Sequence, residues 1–147
     1  MNTKMNKIPN DKKVVLAFSG GLDTTYCLYD LVQKGYQVHT VFVDSGGISK
    51  QQIIEIQEKA IAIGCTEHYT IDVKETVWNE FVLPLIWSHA RINNEYPLLC
   101  SDRYMIVKSC LQLCDDLNCN NFAHGCTAMG NDQLRFDQTV KRIRTST

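Results

Sequence analysis

Val14-Val15-Leu16-Ala17-Phe18-Ser19-Gly20-Gly21-Leu22-Asp23-Thr24-Thr25 runs from five apolar residues through three small ones into a segment of helical character. The apolar run reads as a buried strand and the glycines as a tight turn. Beyond the turn, Leu28, Leu31 and Val32 recur at helical spacing until Gly35. A strand that turns sharply into a helix makes a phosphate cradle. The helix's first-turn N–H groups and the hydroxyls of Ser19, Thr24 and Thr25 then face an anion under a favourable dipole.

Two commoner nucleotide loops are excluded by spacing. The sequence has no Gly-x-x-x-x-Gly-Lys-Ser/Thr and no Gly-x-Gly-x-x-Gly. The remaining pattern, Ser19-Gly20-Gly21-Leu22-Asp23-Thr24-Thr25, resembles the pyrophosphate (PP) loop of the ATP pyrophosphatases. Those enzymes cleave ATP between its α and β phosphates and adenylate an oxygen.

The chain has 147 residues and 44% hydrophobic content, enough for one domain with a sizeable core. A formal net charge of −1 gives no general attraction to nucleic acid or to a membrane. Seven cysteines, odd in number and without a Cys-x-x-Cys pair, read as reduced thiols. With no signal peptide or long apolar span evident, a cytoplasmic location is expected. Residues 1–12 are polar and are expected to form a mobile leader, with the domain occupying residues 13–147.

Tyr36 to Val43 predicts a second strand, closed by Asp44-Ser45-Gly46-Gly47. Ser49 is placed to cap a helix whose Ile53, Ile54, Ile56, Ala60, Ile61 and Ile63 are expected to face a core before Gly64 ends it. Glu67 to Val73 predicts a third strand. Two strand–helix crossovers imply an α/β fold: a doubly wound parallel sheet with helices on both faces and ligands at the carboxyl ends of its strands. Lys74 to Ile92 is helical with an expected interruption at Pro84, and Asn93-Asn94-Glu95-Tyr96-Pro97 is a break. Asp102 to Leu117 predicts another helix, and Asn121 to His124 a short strand.

That strand enters a second loop, Ala123-His124-Gly125-Cys126-Thr127-Ala128-Met129-Gly130-Asn131-Asp132-Gln133-Leu134-Arg135-Phe136. Its small residues permit close backbone approach. Thr127, Asn131, Asp132 and Arg135 add a hydroxyl, an amide, a carboxylate and a guanidinium. A carboxylate suits an ammonium and a guanidinium suits a carboxylate, so the cluster fits a nucleotide or an amino acid, with a polar surface turn as the alternative.

Ala17 to Thr25 with Ala123 to Arg135, and Tyr96-Pro97-Leu98-Leu99-Cys100-Ser101 between them, resemble in order and spacing the amino-terminal nucleotide-binding domain of argininosuccinate synthase. The resemblance implies that Ala17 through Thr25 hold the phosphates of ATP, that Val43 lies near the adenine, and that Ala123, His124, Gly125, Cys126, Thr127, Gly130 and Asn131 complete the nucleotide site. It places Tyr96, Ser101, Asn131 and Arg135 on citrulline, and Thr127, Asn131 and Asp132 on aspartate. The implied reaction adenylates the ureido oxygen of citrulline with release of pyrophosphate, and the amine of aspartate then displaces AMP. Such chemistry needs positioned reactants and charge neutralisation, with Mg²⁺ accompanying ATP, more than a nucleophile or general base from the protein. Asp23 is a candidate for Mg²⁺ or for ordering the loop, with helix capping as the equal alternative.

The chain departs from the family pattern at Met129, where many members have Lys, and at Tyr104, where a Pro commonly follows the residue matching Arg103. The family's synthetase domain is expected to have no counterpart in this chain, and ATP binding is therefore expected to survive better than turnover. Self-association or a partner supplying that domain is implied. Trp78, Phe81, Leu85, Ile86 and Trp87 read as core, or as an exposed dimerising stripe. The basic segment Lys141 to Thr147 reads as a solvated tail. Cys110 and Cys114 read as small hydrophobes rather than metal ligands. The rival readings are a non-enzymatic ATP-binding module and a tRNA-modifying PP-loop enzyme. The balanced charge disfavours the second.

Overall fold

The computed structural model describes residues 12–97, 101–126 and 131–145. The leader through residue 11, Leu98-Leu99-Cys100, Thr127-Ala128-Met129-Gly130 and the last two residues lie outside them, so the expectations for Thr127, Met129 and Gly130 do too.

Among the described residues four parallel strands form the sheet: β1 (Lys13–Ala17), β2 (Gln37–Asp44), β3 (Glu67–Asp72) and β4 (Phe122–Ala123), in the order β3-β2-β1-β4. Strand β1 is apolar from Val14 to Ala17 because both its faces are covered there. Val14 and Leu16 join Leu28, Val38, Ile56 and Ala60 beneath α1 (Leu22–Gln33) and α2 (Lys50–Ile63). Val15 and Ala17 join Val41, Val107, Cys110 and Cys114 under α5 (Ser101–Asp116) and α6 (Asn131–Thr145). The doubly wound parallel sheet expected from the sequence is the one observed. Among the described residues no helix is long and apolar enough to cross a membrane.

Helix α2 opens with a complete capping box, in which Ser49 Oγ accepts the Gln52 N–H and the Gln52 side chain accepts the Ser49 N–H. It closes on Gly64 at φ 108°. Its inward face is narrower than expected. Ile56 and Ala60 are buried, whereas Ile54 and Ile61 are 47% and 58% exposed, because at 100° per residue they lie on the flank of the 53/56/60/63 arc.

The expected interruption at Pro84 takes another form. Backbone of helical type runs through α3 (Lys74–Val77), a π turn (Trp78–Val82) and α4 (Leu83–Ser88), with Pro84 in the first turn of α4. Pro84 has no N–H and its ring crowds the carbonyl four residues back, so the wider turn just before it absorbs the conflict. The apolar stripe divides here. Phe81 packs edge-on against Tyr104 and joins the core, while Trp78, Ile86 and Trp87 are exposed. Asn93 and Asn94, both at positive φ, turn the chain between mutually hydrogen-bonded Ile92 and Glu95.

Helix α6 is the largest departure from the sequence reading. Its last turn is residues 141–145, read from sequence as a solvated tail. Phe136 is buried, Val140 and Ile143 pack on the core, and Arg144 pairs with Asp115 at 2.8 Å. The spacing 136/140/143 brings one apolar face onto α5, and the charges occupy the other side.

Candidate nucleotide site

Strand β1 ends at Ala17, and the loop that follows is held from within. Phe18, 2% exposed, donates its N–H to Val41 O and anchors the loop's start. Ser19 Oγ accepts the Gly21 N–H at 3.4 Å and lies 3.3 Å from Thr24 Oγ1. Thr24 Oγ1 donates to Gly21 O and Thr25 Oγ1 to Gly20 O. Gly20 turns the chain at φ 74°, a conformation that suits glycine.

The N-cap of α1 is Gly21, which makes no side-chain cap hydrogen bond. Capping, one of the two readings of Asp23, is therefore not its role; Asp23 sits inside the first turn and lines the cavity. Among the described residues no side chain caps the first-turn N–H groups, and the dipole favours an anion there.

The second loop meets this helix end directly. A Cβ on Gly125 would stand 2.9 Å from Thr24 Cγ2, 3.1 Å from the Thr24 amide nitrogen and 3.3 Å from the Asp23 carbonyl carbon. Only glycine permits that approach. His124 orients the loop, since its Nδ1 accepts the Cys126 N–H at 3.3 Å and its ring lies against Phe122 and Phe136, with centroids at 5.9 and 4.8 Å.

Asp132, at the start of α6, is shared by two guanidinium groups. Arg135 Nη1 donates to Oδ1 at 2.9 Å and Arg103 Nη2 to Oδ2 at 3.2 Å, while Arg103 also pairs with Asp102. These bonds, that of Arg103 foremost, hold the Asp132 carboxyl below its ordinary value. Burial, then the charge of Asp132, pushes the Cys126 thiol up.

These groups enclose a cleft of about 690 Å³ at the carboxyl ends of β1 and β2, where the strand order reverses around β1. It gathers Ala17, Phe18, Ser19, Gly21, Leu22, Asp23, Thr24, Val43, His124, Gly125, Cys126, Asn131, Asp132 and Arg135. Gly20 in the same loop, Thr25 in α1 and Ala123 in β4 do not line it. Tyr96 and Ser101 do not line it. Arg91 lies over the Tyr96 ring at 5.1 Å, and buried Ser101 lines a separate cavity of about 320 Å³ with Phe81, Pro84 and Pro97. Arg103, Ile106 and Phe136 also line the cleft, although the sequence reading gave them no role there. Arg103 stands on α5, and only the fold of that helix over the sheet reveals its position.

A reversing parallel sheet, a glycine turn into a helix, and a second loop closed against that helix define a doubly wound α/β domain whose first loop has the form of a PP loop. In fold, the chain is similar to an NMN synthetase from Francisella tularensis, with a TM-score of 0.58 and 18% identity over 76% of this chain and 44% of that one. It is also similar to an NAD+ synthetase from Burkholderia pseudomallei, with a TM-score of 0.53 and 16% identity over 74% of this chain and 43% of that one. Residues 13–147 match the family model described as the arginosuccinate synthase N-terminal HUP domain, and the chain belongs to that family. It is 46% identical over 134 residues to the argininosuccinate synthase of Xanthomonas campestris, covering 91% of this chain and 34% of that protein. It is 47% identical over 132 residues to that of Xylella fastidiosa, covering 90% and 33%. The chain thus spans about a third of the length of the relatives it matches.

Proposed function

We propose that this chain binds ATP in the cleft between its two loops and serves as the adenylating part of an argininosuccinate synthase. The observation that carries the reading is the seat of Gly125 on the Asp23–Thr24 backbone, which joins the two loops at an uncapped helix end. In this reading Ser19 through Thr25 take the phosphates and Val43 lies beside the adenine. Asp23 is the one loop carboxylate, which suits a Mg²⁺ held mainly by phosphate oxygens. The ion would neutralise charge on the triphosphate.

The proposed chemistry is attack of the citrulline ureido oxygen on the α-phosphorus with pyrophosphate leaving, then displacement of AMP by the aspartate amine. The protein's part is to align the reactants and supply donors to the phosphorane-like charge. Asn131, Asp132 and Arg135 lie on the cavity wall where an amino-acid acceptor would meet the α-phosphate. Asp132 now holds both guanidinium groups, so a ligand carboxylate has to compete for Arg135. That engagement favours a second reading, in which the chain alone binds ATP and becomes an enzyme only with further polypeptide.

Pyrophosphate release from ATP and Mg²⁺, with citrulline and then aspartate added, tests both readings. ATP binding by calorimetry with slow citrulline-dependent release is the expected result. Release that ignores citrulline would overturn the proposed acceptor, and absence of ATP binding would overturn the nucleotide reading.

A further inference from the structure

We infer that Lys59, on α2, is a positioning residue for the phosphate loop, setting the Gly20–Gly21 peptide with its N–H toward the cavity. The inference rests on the nucleotide reading above and extends it to a residue outside either loop.

Lys59 Nζ donates to Gly20 O at 2.8 Å, across 39 residues of sequence. The hydroxyl of Thr25 reaches the same carbonyl at 3.4 Å. In a planar trans peptide the C=O and the following N–H point in opposite directions. Fixing Gly20 O against α2 therefore directs the Gly21 N–H the other way, toward Ser19 Oγ and the cavity that Ser19 and Gly21 line. Gly20 itself does not line it.

This peptide needs an external hold because glycine stands on both sides of it. With no Cβ at either neighbour, sterics oppose its rotation least of any peptide in the loop. Helix α2 is seated to supply the hold. A Cβ on Gly20 would lie 3.0 Å from Ile56 Cγ1, so the loop's back rests on α2 one turn before Lys59. The Thr25 bond is the longer of the two, which leaves Lys59 as the stronger restraint.

The test compares the unsubstituted chain with Lys59→Met and Lys59→Arg, titrated separately with inorganic pyrophosphate and with adenosine. The expected result for Lys59→Met is about a tenfold loss of pyrophosphate affinity, the cost of one misdirected donor to an anion. Adenosine affinity and Tm stay unchanged, the Gly21 amide ¹⁵N signal moves, and Lys59→Arg restores pyrophosphate binding. Equal loss for both ligands, or full pyrophosphate affinity in Lys59→Met, would overturn the inference. Failure of the unsubstituted chain to bind pyrophosphate would overturn the nucleotide reading and this inference with it.

Discussion

Gly125→Ala probes the junction of the two loops with a single methyl group. Gly125 is not among the residues at positive φ, so alanine meets no backbone penalty and the effect isolates packing. Its Cβ would lie 2.9 Å from Thr24 Cγ2, 3.1 Å from Thr24 N and 3.3 Å from Asp23 C, where carbon contacts relax to about 3.5–4.0 Å. Relief requires the second loop to withdraw from α1 by roughly half an ångström or more. Overpacking of this kind costs about 1–3 kcal/mol. For a domain of this size that is a Tm loss of about 3–12 °C. Withdrawal also loosens the phosphate donors of the first turn, and one weakened bond to a charged group lowers ATP affinity roughly 10- to 100-fold. Thr24→Ser removes the Cγ2 contact while keeping the hydroxyl. In the Gly125→Ala background it should recover part of both losses, with a coupling of about 0.5–1 kcal/mol, because the two backbone contacts persist. Differential scanning calorimetry and ATP titration of the four proteins complete the cycle. A Gly125→Ala protein with unchanged Tm and unchanged ATP affinity would refute the reasoning.

The Asp132 carboxyl is lowered by Arg103 and then Arg135, so its contribution to stability is present above the ordinary aspartate value and is lost as pH falls through the lowered folded value. Asp132→Asn should therefore flatten the acid limb of Tm against pH below about 4; superimposable limbs would contradict the ion-pair assignment. Burial pushes Cys114 up to about 12 and Cys110 higher still, while Cys126 is raised on the cavity wall. Iodoacetamide should consequently modify Cys126 slowly near neutral pH and faster as pH rises, with ATP protecting it, and should leave Cys110 and Cys114 intact in the native chain. Cys110 labelled as fast as Cys126, read by peptide mass spectrometry, would refute that ordering.

The parallel sheet was legible because its signals are local. A strand, a glycine-containing turn and a helix of apolar periodicity follow one another twice before β3, and each carries its own signal. Helix α6 was not, because Phe136, Val140 and Ile143 are spread thinly among Arg, Lys, Asp and Gln, and the segment is apolar only as a face. Pro84 misled in the opposite sense, since a proline's conflict can be absorbed by widening the preceding turn as well as by ending the helix. At the site, Ser19 through Thr24 and His124 through Cys126 were found by their small residues. Arg103 and Lys59 were invisible because their positions depend on where α5 and α2 land, which is tertiary information. Neither residue type signals anything on a polar helix surface.

Strand β4 pairs with β1 through only two residues, Val15 with Phe122 and Leu16 with Ala123. At its entry it is pinned by Asn121, which accepts from Val15 N–H and donates to Lys13 O, and by Lys13 reaching Leu117 O at 3.0 Å. Its far end leads straight to Gly125. Half the cleft is thus carried on a short ladder whose partner lies about a hundred residues earlier, a contact of high loop-closure entropy. A sub-global opening that lifts β4 and α6 while the β1–β2–β3 core stays intact would dismantle the cleft without unfolding the protein. A nucleotide held as proposed, between the two loops, would bridge that opening and raise the protection of the β4 and α6 amides against exchange.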